Sequence, residues 1–236
     1  MNIKFLGKWS SHIIKGERNV SFILDDKIVF DFGPHTLESL LDLNIDPGKL
    51  ETVAITHMHL DHFAGLPELL WYRAKNKPAR KLTVLGPQGI KETTEKLMGL
   101  LRTPPQFEAE FEFIEDKPYE SITPFRANHV IPDNGYRVEY GGKTIFYSGD
   151  TAYSENVARG AQDVDILLHE MTYTDAMKEE AAFWKHSYCS STMRVFNESH
   201  ASKLIPLHLT AESEIEAKKL ISKNSNVLYP GGTIKL

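Results

Sequence analysis

The sequence predicts an α/β protein built on mixed β-sheets. Three observations predict it. Short apolar runs of strand length recur along the 236 residues, bounded by turn residues. Segments with apolar residues at helical spacing lie between them. Strand clusters with helices interspersed are the pattern of layered α/β architectures.

Strands are expected at residues 3–6, 21–24, 27–31, 52–55, 82–85 and 110–114, then at 136–140, 144–147, 166–168, 204–207 and 226–229. Asp25-Asp26 is placed to turn the second strand into the third. Gly141-Gly142 is placed to turn 136–140 into 144–147. Helices are expected at 37–43, 62–75, 89–101, 181–198 and 213–223. The first carries leucines at helical spacing and stops before Asp46-Pro47-Gly48. The second carries Phe63, Leu66, Leu69, Leu70 and Tyr72. Trp71, Tyr72, Phe183 and Trp184 sit at helical spacing, which favours core positions over pocket walls.

The chain is long enough for one large domain, and residues 1–236 are read as a single one. Charged residues make up 25% and hydrophobic residues 41%, ordinary for a soluble globular protein. The net charge of -5 argues against a surface that coats nucleic acid. The cluster Lys75, Lys77, Arg80 and Lys81 reads as a solvated loop. The one cysteine, Cys189, excludes an intrachain disulfide. The first residues read as a strand and not as a signal peptide, and no apolar run approaches membrane length. A cytoplasmic protein that uses no membrane is expected.

The most informative stretch is Thr56-His57-Met58-His59-Leu60-Asp61-His62, at the end of the 52–55 strand. Neutral imidazole and carboxylate are the ligands that borderline divalent metals prefer. His57 and His59 are two apart, so an extended backbone turns both rings to one side. Asp61 and His62 fall where the chain enters a helix and can diverge toward a second ion. Three later residues also stand at strand ends: His129, Asp150 after Gly149, and His208. Each alone reads as a polar group at a strand end. The cysteines that would close a structural zinc site are absent from these motifs, which favours an open site.

The first motif resembles the His-x-His-x-Asp-His signature of the metallo-β-lactamase superfamily, and the later residues resemble its later motifs in order. The resemblance implies a four-layer αββα sandwich of two mixed β-sheets flanked by helices. It implies two divalent metal ions, zinc first, with manganese, iron or cobalt compatible. One ion would be held by His57, His59 and His129, the other by Asp61, His62 and His208. Asp150 would bridge them together with a water or hydroxide, and Asp61 could accept a proton from that water. Asp31 is implied as a support for a ligand, and a simple turn aspartate is the competing reading. His12, His35 and His200 read as surface residues, with His12 and His35 also able to line a pocket mouth.

Three further segments resemble the RNase Z branch of that superfamily: Gly16-Glu17-Arg18-Asn19-Val20-Ser21, His169-Glu170-Met171-Thr172 and His186-Ser187-Tyr188. The branch implies that Glu170 and His186 pair beside the metals. An imidazole held by a carboxylate can stay protonated and stabilise charge or protonate a leaving alkoxide. Tyr188 stands where the branch carries threonine, and the chain departs from the branch in two weightier places. Its first strand continues Leu6-Gly7-Lys8-Trp9 rather than Leu-Gly-Thr-Gly. It also has no room between Tyr140 and Lys143 for the arm that grips tRNA.

The expectation is therefore a dinuclear hydrolase acting on a small phosphodiester or a nucleic-acid end, with tRNA processing disfavoured. The branch implies a homodimer. Ester, thioester or lactone hydrolysis is the competing enzymatic reading, and a metal-dependent sensor without turnover is the non-enzymatic one.

Overall fold

The apolar runs face two ways, and the structure uses both faces. The computed structural model describes residues 1–107 and 109–236. Its larger sheet has the order β12 (Thr233–Lys235), β1 (Asn2–Gly7), β2 (Ser21–Leu24), β3 (Ile28–Phe30), β4 (Thr52–Ala54), β5 (Leu82–Gly86) and β6 (Phe111–Glu115). The smaller has the order β11 (Lys203–Leu207), β10 (Ile166–Glu170), β9 (Lys143–Tyr147), β8 (Asn134–Tyr140) and β7 (Ile122–Arg126). Both are mixed. β3 to β6 run parallel, as do β9 to β11, and the remaining pairs are antiparallel.

Alternation along the strands separates the layers. Phe22, Leu24, Phe30 and Ala54 pack inward against Tyr136, Val138, Tyr147 and Leu168 of the other sheet. Their neighbours Ile23, Val29 and Val53 face outward, under α1 (Thr36–Asp42), α3 (Leu66–Asn76) and α4 (Ile90–Leu100). On the far side Phe146 and Leu167 pack against α5 (Glu155–Gly160), α7 (Cys189–Ser199) and α8 (Ala211–Lys223). Helix, sheet, sheet and helix give the four-layer αββα sandwich. Both expected hairpins form. Asp25 and Asp26 have φ of 44° and 59°, and Gly141 and Gly142 have 60° and 73°, the positive values that suit two-residue turns.

Several elements differ from expectation. The helix expected at 62–75 is two: α2 (Leu60–Phe63) and α3, parted at Gly65 with Pro67 in the first turn of α3. The helix expected at 181–198 is also two, α6 (Lys178–Trp184) and α7. Lys185, with φ of 54°, ends the first in a left-handed turn. The strand expected at 226–229 pairs only through a single bridge from Val227 to Leu204. β7 is an edge strand with Pro124 inside it, and proline masks a strand in a sequence. β12 is short and largely exposed, so it has no buried apolar pattern. Phe183 and Trp184 are exposed and not core, because α6 is short and buries only Ala181.

Ligands of open α/β sheets bind beyond the carboxyl ends of parallel strands. Here the carboxyl ends of β3, β4, β9, β10 and β11 lead into Asp31, His57, Asp150, Glu170 and His208. Tyr136 reaches from one sheet to the other and donates to the Ile55 carbonyl at 2.8 Å, tying the two edges together.

Candidate metal centre

β4 ends at Ala54, and the chain then bends at Thr56 and again at His59 before entering α2. Asp31 anchors this turn. Its Oδ1 accepts from the Thr56 backbone N–H at 2.8 Å and from the Thr56 hydroxyl at 2.9 Å. Glycine is required at Gly33, where a β-carbon would collide with the Asp61 carbonyl oxygen. That close approach seats α2 against the loop after β3. Phe32 N–H donates to the His62 carbonyl at 2.7 Å, which sets the first turn of α2 and the side chains of Asp61 and His62.

Two trios result. His57 Nε2 lies 3.0 Å from His59 Nδ1, and His129 Nε2 lies 3.3 Å from the same atom. Asp61 Oδ2 lies 3.6 Å from His62 Nε2 and 3.3 Å from His208 Nε2. Ligand atoms bonded to zinc at ~2.0–2.1 Å in a tetrahedron are roughly 3.3 Å apart. Asp150 sits between the trios. Its Oδ2 is 3.7 Å from His57 Nε2, 3.4 Å from His62 Nε2 and 3.3 Å from His208 Nε2. The sharp turn that delivers it passes through Gly149, with φ of 59°.

The donor set fits divalent metal ions. His62 Nε2 and Asp150 Oδ1 are buried and have no hydrogen-bond partner among the described residues. Buried polar atoms without partners are costly, and a cation between them removes that cost. The outer nitrogens of four imidazoles are all occupied. His57 Nδ1 is 2.8 Å from Asp133 Oδ2, and His62 Nδ1 is 2.8 Å from Asp31 Oδ2. His129 Nδ1 is 3.1 Å from the Lys185 carbonyl, and His208 Nδ1 is 2.8 Å from the Thr172 hydroxyl. Such partners fix the ring so that the other nitrogen presents its lone pair inward.

Glu170 and His186 lie at one side of these trios. His186 Nδ1 is 3.0 Å from Glu170 Oε1 and 3.8 Å from Asp150 Oδ2. The break between α6 and α7 places this imidazole. Ser187 donates to the Thr151 carbonyl at 2.7 Å, which pins the segment to the turn carrying Asp150. Glu170 also accepts from the Thr151 backbone N–H and the Thr172 hydroxyl, both at 2.6 Å.

Burial and charge divide the histidines. Burial first, then the neighbouring His62, push His57 well below its usual value. Burial also lowers His59 and His129. Burial opposes a proton on His62, but Asp150, Asp61 and Asp31 outweigh it and hold His62 well above its usual value. Burial likewise opposes a proton on His186, and the carboxylates of Glu170 and Asp150 outweigh it, raising His186 to about 9. Asp133 is pushed up by burial and by Asp150. Without metal, burial thus disfavours the charged form of both Asp133 and His57.

The structure brings His57, His59, Asp61, His62, His129, Asp150, His208, Glu170 and His186 to one place, with Asp31 behind them. His12 and His200 are exposed, and His35 bonds Glu38 at 2.9 Å. Arg18 and Glu17 turn to structure: Arg18 bonds Ser39 and Asp42 of α1, and Glu17 pairs with Lys8. Arg80 and Lys81 of the basic cluster pair with Glu51 and Glu112. Asp133 escapes sequence reasoning because Pro132-Asp133-Asn134-Gly135 reads as an ordinary turn. Tyr147, which donates to Asp31 at 2.7 Å, reads as a strand aromatic.

A family model described as the beta-lactamase superfamily domain matches residues 27–209. The chain belongs to that superfamily. Ribonuclease BN of Salmonella paratyphi C (strain RKS4594) is 27% identical over 293 residues, covering 98% of this chain and 96% of that protein. That alignment is longer than this 236-residue superfamily member, so the relative carries insertions absent here. The short form of human tRNase Z superposes with a TM-score of 0.82 at 21% identity, covering 100% of this chain and 99% of the other. The metallo-beta-lactamase fold protein YhfI from Bacillus subtilis gives 0.81 at 20% identity, with 99% of each chain covered. A diphosphatase of the PhnP family gives 0.78 at 15% identity, covering 100% of this chain and 97% of that one. The fold is thus the RNase Z-like form of the metallo-β-lactamase sandwich.

Proposed function

We propose that the chain is a dinuclear metal-dependent phosphodiesterase acting on a small phosphodiester. His57, His59 and His129 would hold one ion, Asp61, His62 and His208 would hold the other, and Asp150 lies where it could serve both. Zinc suits this imidazole and carboxylate set best, with manganese, iron and cobalt compatible. Two such ions would lower the pKa of a shared water and clamp the oxygens of an in-line displacement.

The observation that carries the reading is the Glu170–His186 pair, 3.0 Å apart and beside Asp150. Its Nδ1 engaged, His186 keeps Nε2 for a substrate oxygen. Glu170 holds the imidazole protonated, so it can donate to the departing alkoxide or offset charge on the phosphoryl oxygens. Burial opposes charge on Asp61, but His62 and His208 outweigh it and hold the carboxylate ionised, so that it could accept the proton of an attacking water. Acyl hydrolysis needs no such pair. The names of the Salmonella relative and of the PhnP-family neighbour, a ribonuclease and a diphosphatase, agree with chemistry at phosphorus.

A small substrate is favoured over tRNA. β8 passes into β9 through Gly141-Gly142 alone, leaving no arm at that turn. The test is turnover of bis-p-nitrophenyl phosphate, p-nitrophenyl acetate and a simple lactone by protein of known metal content. Chelator-sensitive turnover of the diester alone is expected. Turnover of only the acyl substrates moves the function to ester or lactone hydrolysis. Binding without any turnover points to a sensor.

A further inference from the structure

We propose that the exposed tip of α6 selects the substrate, with Trp184 stacking on an aromatic base, Phe183 bracing that indole edge to face and Lys185 pairing with the substrate phosphate. This names the substrate class as a nucleotide diester, and it rests on the phosphodiesterase reading.

Three observations place the tip at the mouth of the metal centre. Lys185 accepts from His129 Nδ1 through its carbonyl at 3.1 Å, and its Nζ donates back to the His129 carbonyl at 3.4 Å. His186, the next residue, reaches Glu170 and Asp150. Trp184 is therefore joined through one residue to two groups of the site.

The tip is apolar where water meets it. Phe183 is 72% exposed and Trp184 52% exposed. They touch edge to face with ring centroids 4.9 Å apart. A helix that buries only Ala181 has no core reason to carry two adjacent aromatic rings. Leu60, 69% exposed between His59 and Asp61, and Val130, 44% exposed after His129, add exposed apolar side chains next in sequence to groups of the site. Lys185 sets a cation among them.

An apolar ring surface beside an ammonium group complements a ligand with a flat aromatic part and an anionic part a few bonds away. Every nucleobase offers a face for stacking, and aromatic side chains use it without base specificity. The ammonium meets the phosphate as a point charge. The phosphodiester of a nucleotide supplies both halves.

The experiment compares a nucleoside cyclic monophosphate with the same sugar cyclic phosphate bearing methyl in place of the base, using metal-loaded protein. The wild type should favour the base-bearing compound in kcat/KM by about tenfold, the worth of one base–aromatic stack. Trp184→Ala should abolish that preference. Lys185→Gln should raise KM for both compounds alike and keep the preference. Equal rates for both compounds in the wild type, or a preference unchanged in Trp184→Ala, overturn the inference and leave the phosphodiesterase reading standing. If neither compound turns over and bis-p-nitrophenyl phosphate is also inert, the phosphodiesterase reading falls. Calorimetric binding of a nucleoside monophosphate then decides the tip: about tenfold weaker binding in Trp184→Ala upholds it, and equal binding overturns it. A Trp184→Ala protein that loses a dimer and keeps its base preference shows instead that the tip is an interface between copies, which also overturns it.

Discussion

The carboxylate of Asp133 meets His57 Nδ1 at 2.8 Å, and the same side chain accepts from the Asp150 backbone N–H at 3.2 Å. One residue thus orients a group of the first trio and steadies the loop carrying the residue between the trios. Both side chains are fully buried. Were a cation held at Nε2, His57 would keep its Nδ1 hydrogen and donate it to the Asp133 carboxylate. Asp133→Asn should weaken metal retention about 10–100-fold, as removal of such partners does elsewhere. Competition with a chromogenic chelator measures this. Unchanged affinity would reduce Asp133 to a filler of space.

The two trios predict separable losses. His129→Ala should leave one ion per chain, held by Asp61, His62 and His208. His208→Ala should leave the other. Metal analysis after gel filtration reads the stoichiometry. Loss of both ions from either variant, with the fold intact by circular dichroism, would mean that the trios bind as one cooperative unit.

His186→Ala should lower kcat on a phosphodiester by about 10²–10⁴-fold with metal content intact, the range for a lost general acid. Glu170→Gln should also lower it, because the imidazole then loses the carboxylate that holds its proton. Turnover unaffected by His186→Ala would remove the pair from the chemistry.

Metal-free protein isolates the electrostatics of that pair. His186 is raised to about 9 there, above its ordinary 6.5. A raised imidazole contributes stability that is complete below the unfolded value and is lost as pH rises through the folded one. The stability difference between metal-free wild type and His186→Gln should therefore shrink as pH climbs from near neutrality through about 9. NMR titration of the His186 ring gives the value directly. A ring that titrates below 6.5 would contradict this account of the pair.

The strands and the α/β class were legible because buried strands show alternating or continuous apolar runs, as at 21–24 and 166–168, whereas the four-layer sandwich came only with the family resemblance. The cluster 57–62 was legible because its residues sit together in sequence at a strand end. What escaped was whatever depends on distant partners. Asp133 is a turn residue until His57 is seen beside it. The break at Lys185 hides inside a helical pattern, since any residue in a left-handed turn can stop a helix and lysine gives no warning. β7 carries Pro124, and the solvent-facing β12 lacks a core face. Phe183 and Trp184 look like core by spacing, and only the shortness of α6 exposes them.

Gly33→Ala probes the seat of α2. The new β-carbon would collide with the Asp61 carbonyl, which is backbone and cannot swing aside. Overpacking of this kind costs about 1–3 kcal/mol. Urea unfolding should show that loss together with weaker metal binding by Asp61 and His62. Full stability with normal metal content would mean that the loop relaxes freely and that the close approach does not position the site.

The proposed phosphodiester hydrolysis depends on paired divalent ions at these two trios. The most direct measurement is turnover of bis-p-nitrophenyl phosphate as metal-free protein is titrated with zinc, and separately with manganese. The account predicts little activity without metal, a rise that completes at two ions per chain, and loss of the rise in His57→Ala and His208→Ala. Turnover that is indifferent to metal, or that survives both substitutions, would contradict it.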